Sequence, residues 1–267
     1  MTDDWSRLLD ERTHCLLAFA GGRGPAVVPL AHWHDGRALW ATLAPDGEAA
    51  RRLADASACT VWLTDPGRVL TSAGEARVFR LDSPVRLALH AGPISGALAA
   101  LAVRNAGTLL ASARHRLLVP DRWRVPSRVV LRVVLGPTWS LPVAAGDAGL
   151  PPPLPTVVPA DVRRAVAGQR AVVLVRGRGR PDVTPALLGP GFRLTVAGTP
   201  VPEIDGPVAV VAGPPPEAGW HRARGLALHG TVAGGRLIPD RATWWRDGAV
   251  DTAAVARGYQ PGVVLPD

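Results

Sequence analysis

Gly21-Gly22-Arg23-Gly24-Pro25-Ala26-Val27-Val28-Pro29 returns 156 residues further on as Gly177-Arg178-Gly179-Arg180-Pro181-Asp182-Val183-Thr184-Pro185. The same offset carries Leu70-Thr71-Ser72-Ala73-Gly74 onto Leu226-Ala227-Leu228-His229-Gly230. A period this long is no solenoid repeat; it predicts one domain used twice.

Working outward from the first copy, residues 4–12 read as a short helix leading into a strand at Cys15–Ala20. The glycine-rich turn feeds a second strand, Ala26–His34. Asp35-Gly36 is a two-residue hairpin signal, because both residues tolerate positive φ, and Ala38–Leu43 returns as a third strand. Asp46 is placed to cap a helix whose apolar positions Ala49, Leu53 and Ala56 share a face. Strands follow at Cys59–Thr64 and Arg68–Leu81, with a bulge expected at Gly74. Residues 83–116 read as a helical insert interrupted at Gly92-Pro93, and Val129–Leu135 as the last strand, ending at Gly136-Pro137-Thr138-Trp139.

From about 141 to 158 the composition shifts to Pro, Gly and Ala around Pro151-Pro152-Pro153, which predicts a semi-rigid linker. The pattern then restarts. A helix at Ala160–Ala167 precedes strands at Ala171–Val175, Asp182–Leu188, Phe192–Val196, Val208–Ala212 and Gly225–Val232, and Thr243-Trp244-Trp245 echoes Thr138-Trp139. Between Val196 and Val208 there is no room for the helix expected after Asp46. The expected organisation is an N-terminal unit over 1–140, the linker over 141–158 and a degenerate second unit over 159–267.

The chain has 267 residues and is 47% hydrophobic, ample for a packed core. Its net charge of +8 is carried by arginine alone, there being no lysine. That pattern looks like coding from a GC-rich genome, which weakens the high pI as a sign of a nucleic-acid partner, and with no stacking aromatics around Arg176-Gly177-Arg178-Gly179-Arg180 such a partner is not expected. Cys15 and Cys59 lie in apolar runs and read as reduced core thiols. With no apolar run of membrane-spanning length and no signal-like start, a cytoplasmic protein without a membrane partner is expected. Nine tryptophans against three Phe and one Tyr are scattered over both halves, as packing residues would be.

Six strands with a helix between the third and fourth resemble the flavin-binding split barrel of the pyridoxamine 5'-phosphate oxidase-like superfamily. The resemblance rests on Gly24-Pro25-Ala26-Val27-Val28-Pro29-Leu30, Asp35-Gly36-Arg37-Ala38-Leu39-Trp40-Ala41-Thr42, Ala50-Arg51-Arg52-Leu53 and Gly74-Glu75-Ala76-Arg77-Val78. Members commonly show x-V-x-P-x-W, D-G-x-x-L-Y-F-x-T, S-x-K-x-R-x-L and V-x-G-x-A in that order, and residues 12–82 follow it. The resemblance implies a mainly β, α+β fold of two tandem split barrels forming an internal pseudo-dimer, with a homodimer left open.

It further implies an FMN or deazaflavin site serving an oxidoreductase on an unknown small-molecule substrate. The ring would lie against the backbone of Val28, Pro29, Leu30 and Ala31 and of Trp40, Ala41 and Thr42, with Thr42 holding the phosphate. The Ser and Lys of the family's helix fall near Gly47 and Ala49 or Ala50, which leaves Arg51 and Arg52 as the nearest cations. Arg51 is expected to face the pocket and Arg52 solvent. Asp46 and Glu48 sit where a phosphate would have to be and would repel it. No residue is compelling as a general acid or base. His32-Trp33-His34 sets two imidazoles on one strand face, the reading that would suit haem or a metal. A barrel pair that has lost its cofactor and binds or scaffolds is the alternative from another class.

Overall fold

The computed structural model describes residues 3–44, 47–53, 57–80, 84–104, 129–146, 149–213, 223–246 and 249–256. The part of the expected helical insert beyond Arg104, Trp123 and Trp220 therefore lie outside the described residues.

Helix α1 (Asp3–Glu11) places Trp5, Leu8 and Leu9 on one face, all fully buried. Strands β1 (His14–Gly21), β2 (Gly24–His34) and β3 (Ala38–Leu43) follow, then the short helix α2 (Glu48–Arg52), then β4 (Ser57–Asp65) and β5 (Arg68–Phe79). Helix α3 (Pro84–Arg104) leads back to β6 (Val129–Pro142), and the six strands close as β1-β2-β3-β6-β5-β4. Inside the barrel lie Cys15, Leu17, Leu30, Leu39, Ala41, Val61 and Leu131, with α1 and α2 packed against them.

The second unit opens with α4 (Ala160–Val166), followed by β7 (Ala171–Arg176), β8 (Asp182–Gly189), β9 (Arg193–Val196), β10 (Thr199–Pro200), β11 (Ile204–Ala212), β12 (Gly225–Ala233), β13 (Arg236–Arg246) and β14 (Ala249–Ala254). These form one sheet in the order β10-β9-β8-β7-β11-β12-β13-β14, and a β9–β13 pairing curls it closed. The ring β7-β8-β9-β13-β12-β11 repeats the strand order of the first barrel. No helix stands between β9 and β11, as the spacing requires.

Register makes the repeat specific. Leu16 lies opposite Pro29, and Val173 opposite Pro185. Cys59 pairs with Gly74, and Val208 with Gly230. Both glycines sit at a register shift against the following strand. A Cβ on Gly74 would meet Val133 Cγ1 at 2.7 Å, which must give way, and one on Gly230 would run into the Ile238 carbonyl, so the second bulge has room for glycine only.

Several local expectations change. The β2–β3 turn centres on Gly36-Arg37, not Asp35-Gly36: Asp35 N donates to the Ala38 carbonyl, and the Asp35 carboxylate takes the Arg37 and Ala38 amides. Gly36 alone there needs positive φ, at 88°. The N-cap of α2 is Gly47 without a side-chain cap, and Asp46 lies outside the described residues. Strand β6 runs on through Gly136-Pro137 instead of ending there, because the bulge opposite Ala73 leaves Pro137 no ladder bond to make. Helix α3 is continuous through Gly92-Pro93, and Ser95 Oγ donates to the Gly92 carbonyl at 3.0 Å. Trp139 lies opposite Thr71 and Thr243 opposite Ala227, so the two tryptophan-bearing ends are out of step by one residue.

Candidate functional site

Along the two strand segments expected to back a flavin, the side chains alternate between the barrel interior and its outside. Leu30 and Ala41, with Val28 packed alongside, belong to the barrel interior. Pro29 faces the second barrel. Ala38 and Trp40 point outward from β3, and α3 lies on them: Ile94 and Ala97, both nearly fully buried, pack with Ala38, Trp40 and Val130, while Trp33, Phe79 and Leu98 fill in around them. Alternation puts Thr42 on that outward face too.

Further contacts hold Trp40 in place. Its Nε1 donates to Asp35 Oδ2 at 3.1 Å, Phe79 stacks at 6.5 Å, and the Arg132 guanidinium lies 5.5 Å from the ring centroid. The far end of α3 is fastened as well. Arg104 Nη2 donates to the carbonyls of Leu9, Asp10 (2.7 Å) and Arg12 (2.8 Å), closing the carboxyl end of α1.

The expected phosphate clamp is rearranged. Helix α2 is one turn and a half long, and Glu48 Oε1 accepts the Gly22 amide at 3.1 Å. Arg52 is exposed, as expected, and lays its guanidinium over Gly22. Arg51 is exposed. Glycine at position 22 is what lets Arg52 lie there, since a Cβ would overlap the guanidinium.

His32 and His34 also turn to α1. His32, fully buried, donates Nε2–H to the Leu9 carbonyl at 3.3 Å, and His34 Nε2 meets Asp10 Oδ1 at 3.0 Å. Burial first, then the nearby Arg104, pushes the His32 pKa down to about 3, so the ring is neutral. Among the described residues no three His, Cys, Asp or Glu side chains gather to hold a metal. Cys15 and Cys59 are free and buried, and burial pushes the Cys59 thiol up to about 12.

The barrels meet through Ala18, Val27, Trp62 and Val69 on one side and Val173, Val175, Val183, Ala209, Val211, Ala227 and Trp245 on the other. In register, Ala18 matches Val175, Val27 matches Val183 and Trp62 matches Val211, so equivalent faces touch, as in a two-fold dimer. The carbonyls of Pro25 and Pro181, matched in register, each accept a hydrogen bond across this interface. Thr60 Oγ1 donates to Pro181 O at 2.5 Å, and His229 Nδ1 donates to Pro25 O at 3.2 Å. Because a carbonyl only accepts, His229 carries its proton on Nδ1, leaving Nε2 to accept from Thr243 Oγ1 at 3.0 Å. The position of His229 just before the Gly230 bulge was the one signal of this role in the sequence.

The fold and interface define a chain made of two split barrels docked face to face. No family model matches it, and no curated protein matches it. Solved structures similar to it include an F420 reductase, 17% identical over 52% of this chain and 98% of that one with a TM-score of 0.37. A FAD-binding protein from Mesorhizobium loti is 17% identical over 52% of this chain and 93% of its own, at TM-score 0.35. The heme storage protein HutZ from Vibrio cholerae is 12% identical over 51% and 91%, at TM-score 0.34. The likeness to pyridoxamine 5'-phosphate oxidase-like split barrels is one of fold. No helix among the described residues is long and apolar enough to cross a membrane.

Proposed function

We propose that this chain is a two-barrel small-molecule-binding module that does not carry a flavin in the position its resemblance assigns. One observation carries the reading: Ile94 and Ala97 of α3 are seated on the outward face of Trp40, where the ring of FMN or a deazaflavin would lie. Burying Trp40, Ala38 and Val130 under the helix stabilises the fold by roughly 25 cal/mol per Å² of apolar surface, which a flavin would have to displace. Glu48 supports the same reading, since its carboxylate stands at the start of α2 and would repel a phosphate.

Purified full-length protein is expected to show no flavin or haem bands and no quenching of FMN or F420 fluorescence at about 100 μM, far above the dissociation constant of a resident cofactor. Co-purification of a flavin, or saturable FMN binding abolished by Thr42→Val together with Arg51→Ala, would restore the oxidoreductase reading.

A further inference from the structure

Where the barrels meet, the glycine-rich turns β1–β2 and β7–β8 border a cleft of about 420 Å³. Residues 20–24 line it from the first barrel, and Arg178 and Pro207 from the second. A cleft of that size suits a small molecule. None of the positions expected to hold a flavin, from Val28 to Ala31, Trp40 to Thr42 or Arg51 and Arg52, lines it. Hydrogen bonds across the interface fix its shape. His229 holds the Pro25 carbonyl at the foot of the first turn, and Thr60 holds the Pro181 carbonyl at the foot of the second. Gly24, at a φ of 118°, lies so close to Pro207 that a Cβ would come within 2.5 Å of the proline ring.

Each turn supplies one arginine to the lining, Arg23 from the first and Arg178 from the second. Arg178 lies along the irregularity of β11, its Nε 3.7 Å from where a Cβ on Gly206 would stand. Both arginines are exposed, and among the described residues neither makes an ion pair or a hydrogen bond through its side chain. The neighbouring acids are engaged elsewhere. Asp182 pairs with Arg176 at 2.8 Å, and Glu48 accepts the Gly22 amide at 3.1 Å. Asp205, next to Gly206, is exposed and makes no ion pair with Arg178. With Arg52 over Gly22 and Arg180 in the second turn, the unpaired arginines at this end outnumber Glu48 and Asp205 by two. That balance suits a dianion.

We propose that this cleft binds a small phosphate monoester, its head group taken by the forks of Arg23 and Arg178 and its body lying on the glycine and proline walls. A guanidinium fork matches two phosphate oxygens at once, and a phosphate monoester carries a charge of about −1.5 to −2 at neutral pH. Among the described residues no aromatic side chain lines the cleft, so nothing there stacks a nucleobase or a flavin ring. The proposal names a ligand class for the small-molecule-binding module and rests on that reading.

The test is an NMR titration of the full chain with glycerol 3-phosphate to about 10 mM, enough to saturate a millimolar site. The side-chain Nε–H signals of Arg23 and Arg178 are assigned by their loss in Arg23→Gln and Arg178→Gln. Both are expected to move saturably with one dissociation constant, and inorganic phosphate should compete. Each single variant should weaken binding about tenfold, as losing one charge-assisted hydrogen bond does, and the double variant should abolish it. Arg37→Gln removes the same charge beyond the opposite end of β2 and should bind as the wild type does. A loss in Arg37→Gln equal to that in Arg23→Gln would mean diffuse attraction to a basic protein and would overturn the site. So would signals that move without saturating, or acetate binding as tightly as glycerol 3-phosphate. A flavin spectrum with saturable shifts at both arginines would defeat the flavin-free reading while leaving this cleft standing. No flavin and no shifts would defeat this cleft alone.

Discussion

The two barrels share a strand order but close their seams differently. In the first, β3 pairs with β6 along its whole length, Ala38–Leu43 against Val129–Val134. In the second, Arg193 opposite Arg236 is the pairing that joins β9 to β13, beside a Leu194 amide bond to the Gly235 carbonyl. Register shows what stands at matched places: Trp40 faces Arg132 in one seam, and Arg193 faces Arg236 in the other. The connections explain the exchange. The first barrel links β5 to β6 through α3, which covers the seam, so an apolar Trp40 belongs there. The second links β12 to β13 by Gly234-Gly235, both at positive φ, leaving the seam to solvent and to exposed arginines. Tryptophan and covering helix are thus one device, and that is why the Trp40 face reads better as a packed seam than as an open cofactor site.

Acid should break the comparison most. His14 and His32 in the first barrel and His229 in the second have pKa values pushed down to about 4, 3 and 4, in each case chiefly by burial. Each takes up a proton near pH 6.5 when unfolded but only near its lowered value when folded. Stability is therefore complete above about pH 6.5 and falls as pH drops toward 4. Three such groups together reach roughly 4 kcal/mol per pH unit at the steepest, enough to exhaust a typical domain's stability. Denaturant midpoints measured from pH 7 to 4 should fall steeply. The first barrel, with two of the three, should lose hydrogen-exchange protection before the second. A flat profile would mean that these imidazoles are not buried neutral.

The bulge glycines come next. The obstacle at Gly230 is backbone, the Ile238 carbonyl with Pro239 Cα at 2.9 Å, whereas at Gly74 the nearest obstacle is a Val133 methyl group that can rotate. Gly230→Ala should cost about 3 kcal/mol and Gly74→Ala about 1 kcal/mol. Equal costs would show that the two bulges are not built alike. The repeat itself was legible from these glycines, since a bulge needing glycine leaves a mark at one position. The strands were legible for the same local reason. The seat of α3 was not: Ile94 and Ala97 give an apolar face, but nothing near them in sequence says that Trp40, over fifty residues earlier, lies beneath. Nor did His32-Trp33-His34 reveal its partners, because Leu9 and Asp10 are brought up by the fold. The tryptophan echo misled by one residue, and the pairing of Asp35-Gly36 misplaced the turn, because both depend on register, which composition does not encode.

Arg104→Met sharpens the seam argument. It keeps much of the apolar stem and removes the donors that close α1. Losing these charge-assisted hydrogen bonds, which are part-buried or exposed, should cost about 1.5 kcal/mol. If α3 and Trp40 are one device, acrylamide quenching of a variant retaining Trp40 as reporter should rise as the helix loosens, while β12–β13 exchange stays slow. Quenching unchanged at lowered stability would separate the helix anchor from the seam.

The smallest expected effect tests the interface symmetry. Pro25 O and Pro181 O are matched carbonyls, yet Thr60 serves one from β4 and His229 serves the other from β12. The position matching Thr60 is Ala209, and the one matching His229 is Ala73, so each barrel supplies a donor that the other lacks. Thr60→Val removes one neutral hydrogen bond but fills the same volume, at about 1 kcal/mol. His229→Leu removes two bonds and should cost about 2–3 kcal/mol. The discriminating step is Ala209→Thr in the His229→Leu background. If the two-fold match holds, the new hydroxyl at 209 stands to Pro25 O as Thr60 stands to Pro181 O, and it should recover roughly half of what His229→Leu lost. A further loss in the denaturant midpoint would mean that the two carbonyls only look equivalent and that the barrels meet without a true two-fold relation.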